Sequence, residues 1–118
     1  MSTFGRVAPS IPVADMNRAL RFYCDVLGFT VTFTNGSPVC FAIIKQGNAE
    51  LHVALQPGKA GSLHAHLMVD VLDPVYERLQ QSGAVIRQAP KRQEWGLRDI
   101  IFADPDGNTF EVAEPAST

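Results

Sequence analysis

The same order of elements is written twice along this chain, and that repetition restricts the fold more than any other feature. Asp15 precedes a run in which Met16, Ala19, Leu20, Tyr23, Val26 and Leu27 recur at helical spacing, and Gly28 follows as a stop. Asp73-Pro74 opens a second helical run, with Val75, Tyr76 and Leu79 as its apolar stripe and Gly83 at its end. One strand-like segment precedes each helix and three follow it. The first set is Arg6–Val13, then Phe29–Asn35, Val39–Lys45 and Glu50–Leu55, divided by the turn signals Asn35-Gly36 and Gly47-Asn48. The second is Leu63–Val71, then Ala84–Gln88, Leu97–Ala103 and Thr109–Ala113, with Asp104–Asn108 as the last turn. Pro9 and Pro12 mark the first strand as irregular or as a sheet edge. The caps Asp15 and Asp73 lie 58 residues apart, about half the chain. The pattern predicts an α+β fold of two tandem βαβββ modules with helices outside concave mixed sheets. The modules would span about residues 6–56 and 62–114 of a single domain over 1–118, with Gln56 to Gly61 as the linker.

Composition removes several function classes. A chain of 118 residues with 46% hydrophobic and 19% charged side chains has enough apolar material for a packed core. Ten basic residues against twelve acidic ones give a net charge of −2, and no block of Lys or Arg exists, so a nucleic-acid partner is not expected. No apolar run approaches a membrane span. The segment Met1 to Val7 lacks the apolar centre of a signal peptide, which points to a cytoplasmic protein. Cys24 and Cys40 have no metal-like spacing and are expected as buried thiols.

Strand parity then sorts the side chains that carry chemistry. Leu51, Val53 and Leu55 belong under the helices, which leaves Glu50, His52 and Ala54 on the other face. Leu67 and Val69 likewise leave His64, His66 and Met68 opposite, and Phe110 and Val112 leave Glu111 and Ala113. All three histidines and two carboxylates thus fall on faces away from the helices, where His and Glu on adjacent strands could bind a divalent metal. If those faces meet, they enclose a polar-lined cavity. Trp95 suits either a half-buried core position or a ring that stacks on a ligand, and Phe33 and Phe41 suit either core or pocket.

Four stretches together carry a family resemblance: Pro9-Ser10-Ile11-Pro12-Val13-Ala14-Asp15, Phe22-Tyr23 with Leu27-Gly28-Phe29, Trp95-Gly96, and Asp104-Pro105-Asp106-Gly107-Asn108. With these the chain resembles the vicinal oxygen chelate superfamily, which includes glyoxalase, bleomycin- and fosfomycin-resistance proteins and extradiol dioxygenases. Phe33 and Gln93-Glu94-Trp95-Gly96 are most similar to the bleomycin-resistance branch. That likeness implies a homodimer that sequesters a bulky, cationic, aromatic drug at its interface, with Trp95 and Phe33 stacking on flat rings. It also implies that Pro9 lies where the first strand crosses to the partner. For the metal-dependent members, the resemblance places three of four ligands on Glu50, His64 and Glu111, while the first falls on Ala8, which has no donor.

Two functions follow as expectations. The first is a binding protein that holds a drug-like or aromatic ligand through Trp95, Phe33, Phe41, His52 and His66, without a cofactor. The alternative is a lyase, isomerase or dioxygenase that uses Zn, Ni, Mn or Fe on Glu50, His64 and Glu111, with His52 or His66 as a possible replacement ligand.

Overall fold

A computed structural model describes residues 2–115. It contains two four-stranded mixed sheets and two helices, in the predicted α+β order. The elements are β1 (Ser10–Val13), α1 (Met16–Arg21) with a π-helical extension over Phe22–Val26, β2 (Thr30–Asn35), β3 (Phe41–Gln46), β4 (Ala49–Leu55), β5 (His64–Met68), α2 (Asp73–Ser82), β6 (Val85–Arg92), β7 (Leu97–Ala103) and β8 (Thr109–Pro115). The sheets run β1-β4-β3-β2 and β5-β8-β7-β6. In each, the strand before the helix pairs in parallel with the last strand of its module, and the other neighbours are antiparallel.

The first helix begins as its sequence predicts. Asp15 is extended, and its side chain accepts from the Arg18 amide at 3.0 Å, satisfying one of the donors that a helix start leaves open. Its buried face differs in one respect: Phe22 is buried beside Tyr23. From Phe22 the helix widens to i→i+5 bonding, with Leu27 donating to the Phe22 carbonyl. That turns the face relative to a 3.6-residue period and brings Phe22 inward. Gly28 ends the run at φ +80°.

The second helix corrects the expected symmetry of the caps. Leu72, not Asp73, is its N-cap; Asp73 lies in the first turn and receives Arg98 at 2.8 Å instead. Leu79 is buried, Val75 and Tyr76 are half-buried, and Gly83 closes the helix at φ +74°. Strand ends also move. β1 begins only at Ser10, after Pro9, which lacks an amide hydrogen for the ladder. β6 continues through Pro90 to Arg92, which an outer strand permits, and its pairing with β7 shifts register twice. Leu55, expected under the helices, is exposed at the end of β4, and Cys40, expected buried, is exposed.

The two modules share one core. Phe22 and Tyr23 of the first lie 6.1 Å from Phe102 and 6.0 Å from Phe110 of the second, ring centre to ring centre, and Ile11, Ile44, Leu51, Leu79 and Ile100 join the same cluster. The helix-side faces of both sheets therefore pack together, and their polar faces point outward. The Asp104–Asn108 turn fastens this arrangement. Asp104 accepts from the Tyr23 hydroxyl at 2.6 Å, Asn108 donates to the Pro12 carbonyl, and Asp106 accepts from the Ala14 amide and Arg18. Burial, then the charge of Asp104, pushes the Tyr23 hydroxyl far above its ordinary range, so it stays a donor. Gly61, at φ +86°, lets the linker pass the Asp106 carbonyl, which any Cβ there would strike. No helix among the described residues is long and apolar enough to cross a membrane.

Candidate functional site

The outer face of the first sheet is aromatic with one anchored carboxylate. Phe41 and Ile43 of β3 alternate outward against buried Ala42 and Ile44, and β4 sets His52 opposite Ile43. Phe33, half exposed on β2, is 6.3 Å from Phe41, and Phe41 is 5.5 Å from the His52 ring. These three rings form a diagonal ladder across neighbouring strands, spaced for edge-to-face contact. Phe33 and Phe41 thus stand on the outer face and not in the core. Glu50 closes one end of it. Its carboxylate lies 2.8 Å from His52 Nε2, 3.2 Å from Arg6 Nε and 3.5 Å from Lys45 Nζ. The His52 hydrogen bond, helped by Arg6 and Lys45 against partial burial, holds the Glu50 carboxyl below its usual range.

The outer face of the second sheet is a polar cluster centred on a residue the sequence reading passed over. Asp99, on β7 between Arg98 and Ile100, is 1% exposed. Its Oδ1 accepts from Gln88 at 2.7 Å and from Gln93 at 2.9 Å. Burial works against its charge, but hydrogen bonding with Glu111, Gln93 and Gln88 and the nearby His66 outweigh that cost and hold the carboxyl below its ordinary range. Glu111 lies across the strand pair from Ile101 and 3.2 Å from His66 Nδ1. His64 Nδ1 is 2.7 Å from Thr109 Oγ1. Trp95 is 66% exposed in the short loop between β6 and β7, where the Gln93 amide donates to the Leu97 carbonyl at 2.7 Å. Gln93 therefore links the tryptophan loop to Asp99. Asp99 could have been placed by the parity applied elsewhere, since Ile100 and Phe102 point inward. The alternation is masked in Leu97–Ala103 because Ile101, on the same face as Asp99, is as apolar as its inward neighbours.

Sequence parity thus put Glu50, His52, His64, His66 and Glu111 on the predicted faces, but one chain does not bring the two faces together. His66 and Glu111 meet; Glu50 and His52 meet on the other sheet. Glu50, His64 and Glu111 do not converge, and among the described residues no group of three His, Cys, Asp or Glu side chains could hold an ion. Ala8 offers no donor, and Glu50 already has three partners. The residues of one chain do not fit the family's metal.

Comparison with known proteins agrees with this architecture. A bleomycin resistance protein of Geobacillus stearothermophilus is 25% identical over 120 residues, covering 85% of this chain and 89% of that protein. Among solved structures, TnmS3, an antibiotic binding protein from Streptomyces sp. CB03234, superposes with a TM-score of 0.81 at 28% identity, covering 98% of this chain and 100% of that one. A bleomycin-binding protein complexed with bleomycin gives a TM-score of 0.78 at 25% identity, covering 94% and 98%. Residues 3–112 match one family throughout, and with the paired modules and their shared core this establishes that the chain belongs to the Glyoxalase/Bleomycin resistance protein/Dioxygenase superfamily.

Proposed function

We propose that this protein binds a small, drug-like molecule carrying an aromatic ring and positive charge, and holds it without chemical turnover. Family membership and antibiotic-binding relatives support a ligand-binding protein. The observation that carries the finer reading is the division of labour between two outward faces. One offers the rings of Phe33, Phe41 and His52; the other offers Glu111, which shares a hydrogen bond with buried Asp99, beside exposed Trp95. A flat cation needs both kinds of wall: rings to stack on, and fixed negative charge to offset its own. The faces point apart in one chain, so the site takes its full form when a second copy sets its aromatic face against this polar one. Exposed Phe33, Met68 and Trp95 are the apolar groups such a pairing would cover. With Ala8 in the first ligand position, binding in this reading requires no metal.

Titration of metal-free bleomycin against the fluorescence of Trp95, the only tryptophan, tests the proposal. Saturable quenching that is unchanged by a chelator is expected. Absence of any quench at high ligand concentration would overturn it.

A further inference from the structure

The two modules are joined unequally. On one side, the five residues Asp104–Asn108 between β7 and β8 fill the notch between the end of β1 and the start of α1. On the other, the notch between the end of β5 and α2 faces the connection between β3 and β4, which is only Gly47 and Asn48. The shorter turn does not fill it. What remains is a cavity of about 700 Å³, within the range of small-molecule sites. Its walls are apolar and come from both modules, among them Leu27, Phe29, Leu67, Val69, Val75 and Phe102. These are helix-side residues, and Met68 is the lining residue from the outward face of β5, so the cavity lies behind the sheet faces and reaches the second one at Met68.

Two donors mark its polar end. Arg78 Nη1 and Gln46 Nε2 converge over Gly28, at 3.0 and 3.4 Å from where a Cβ of that residue would stand. Neither side chain has a hydrogen bond or ion pair among the described residues. The acidic side chain in the lining, Asp70, turns one oxygen onto its own neighbour, the Val71 amide. The filled notch shows what such a place accepts. There a carboxylate, Asp106, sits 2.7 Å from Arg18 and 3.1 Å from the Ala14 amide. Arg78 stands about one turn further along α2 than Arg18 does along α1, facing the shorter connection.

We propose that this inter-module cavity is a second ligand site, for an apolar monocarboxylate whose head pairs with Arg78 and Gln46 and whose aliphatic body fills the space the short turn leaves. A carboxylate there would make charge-assisted hydrogen bonds with two exposed side chains that have no protein partner among the described residues, and its chain would cover apolar wall now open to water.

The test is calorimetric titration of the full-length protein with decanoate and, as a head-group control, decanol. One decanoate per chain is expected. Arg78→Gln should weaken decanoate about tenfold or more and leave decanol unchanged. Ala49→Phe, which fills the cavity, should weaken both. Arg78→Gln should also leave bleomycin quenching of Trp95 as it was, so failure here and failure of the sheet-face site read out separately. No decanoate binding at millimolar concentration, equal binding by Arg78→Gln, or displacement of decanoate by bleomycin would each overturn the proposal.

Discussion

Trp95 and Tyr23 show two opposite uses of an aromatic residue. Trp95 leaves its ring in solvent beside a buried carboxylate system. Trp95→Ala should weaken bleomycin binding roughly tenfold or more, as loss of one stacking contact does, without lowering the urea midpoint. Tyr23 is instead buried, and its hydroxyl donates to Asp104. Tyr23→Phe leaves that buried carboxylate one donor short and should cost about 1–3 kcal/mol in urea unfolding, with ligand affinity retained in the folded fraction. Acid should act through Glu50 and Asp99. Both carboxyls lie below their usual range in the fold, so their stabilisation is present above about pH 4 and is lost as the pH falls through the folded values. Urea midpoints should drop on acidification, and less so in Asp99→Asn. The faces of Glu50, His52, His64, His66 and Glu111 were legible because parity needs only inward-pointing apolar neighbours. The Asp99 cluster was not, because its glutamines come from a bulged strand and a loop whose path no alternation specifies.

At the scale of elements, the helix starts divide the two modules. Asp15 caps α1 through its side chain, whereas Asp73 lies one position inside α2 and holds Arg98. Asp15→Ala should therefore cost about 1 kcal/mol, and Asp73→Ala less, because it removes an exposed ion pair and no cap. Thermal or urea unfolding of the two variants side by side checks the difference. Element order and type were legible from periodicity and turn chemistry, and β7 keeps its predicted ends. Ends moved where local rules compete: Pro9 delays β1, the edge position lets β6 run past Pro90, and the π-helical turn buries Phe22. A single period cannot register a turn that widens partway along.

For the whole molecule, the decisive fact is that both modules spend their apolar faces on each other. Phe22, Tyr23, Phe102 and Phe110 form the shared interior, and the Asp104–Asn108 turn locks it. The duplicated pattern foretold two like modules; it did not foretell which faces would meet, since either packing satisfies the same alternation. Back-to-back packing leaves the aromatic ladder and the carboxylate cluster looking in opposite directions, and that geometry makes a second copy part of the proposed site. Mixing two variants tests this most directly. The Phe33→Ala and Trp95→Ala variants should each bind bleomycin weakly. Unfolded together and refolded, they should regain a population of sites with wild-type affinity by calorimetry, because in the proposed dimer a mixed pair sets an intact Phe33 against an intact Trp95 at one of its two sites. Binding that stays as weak as in the separate variants would contradict a site shared between copies.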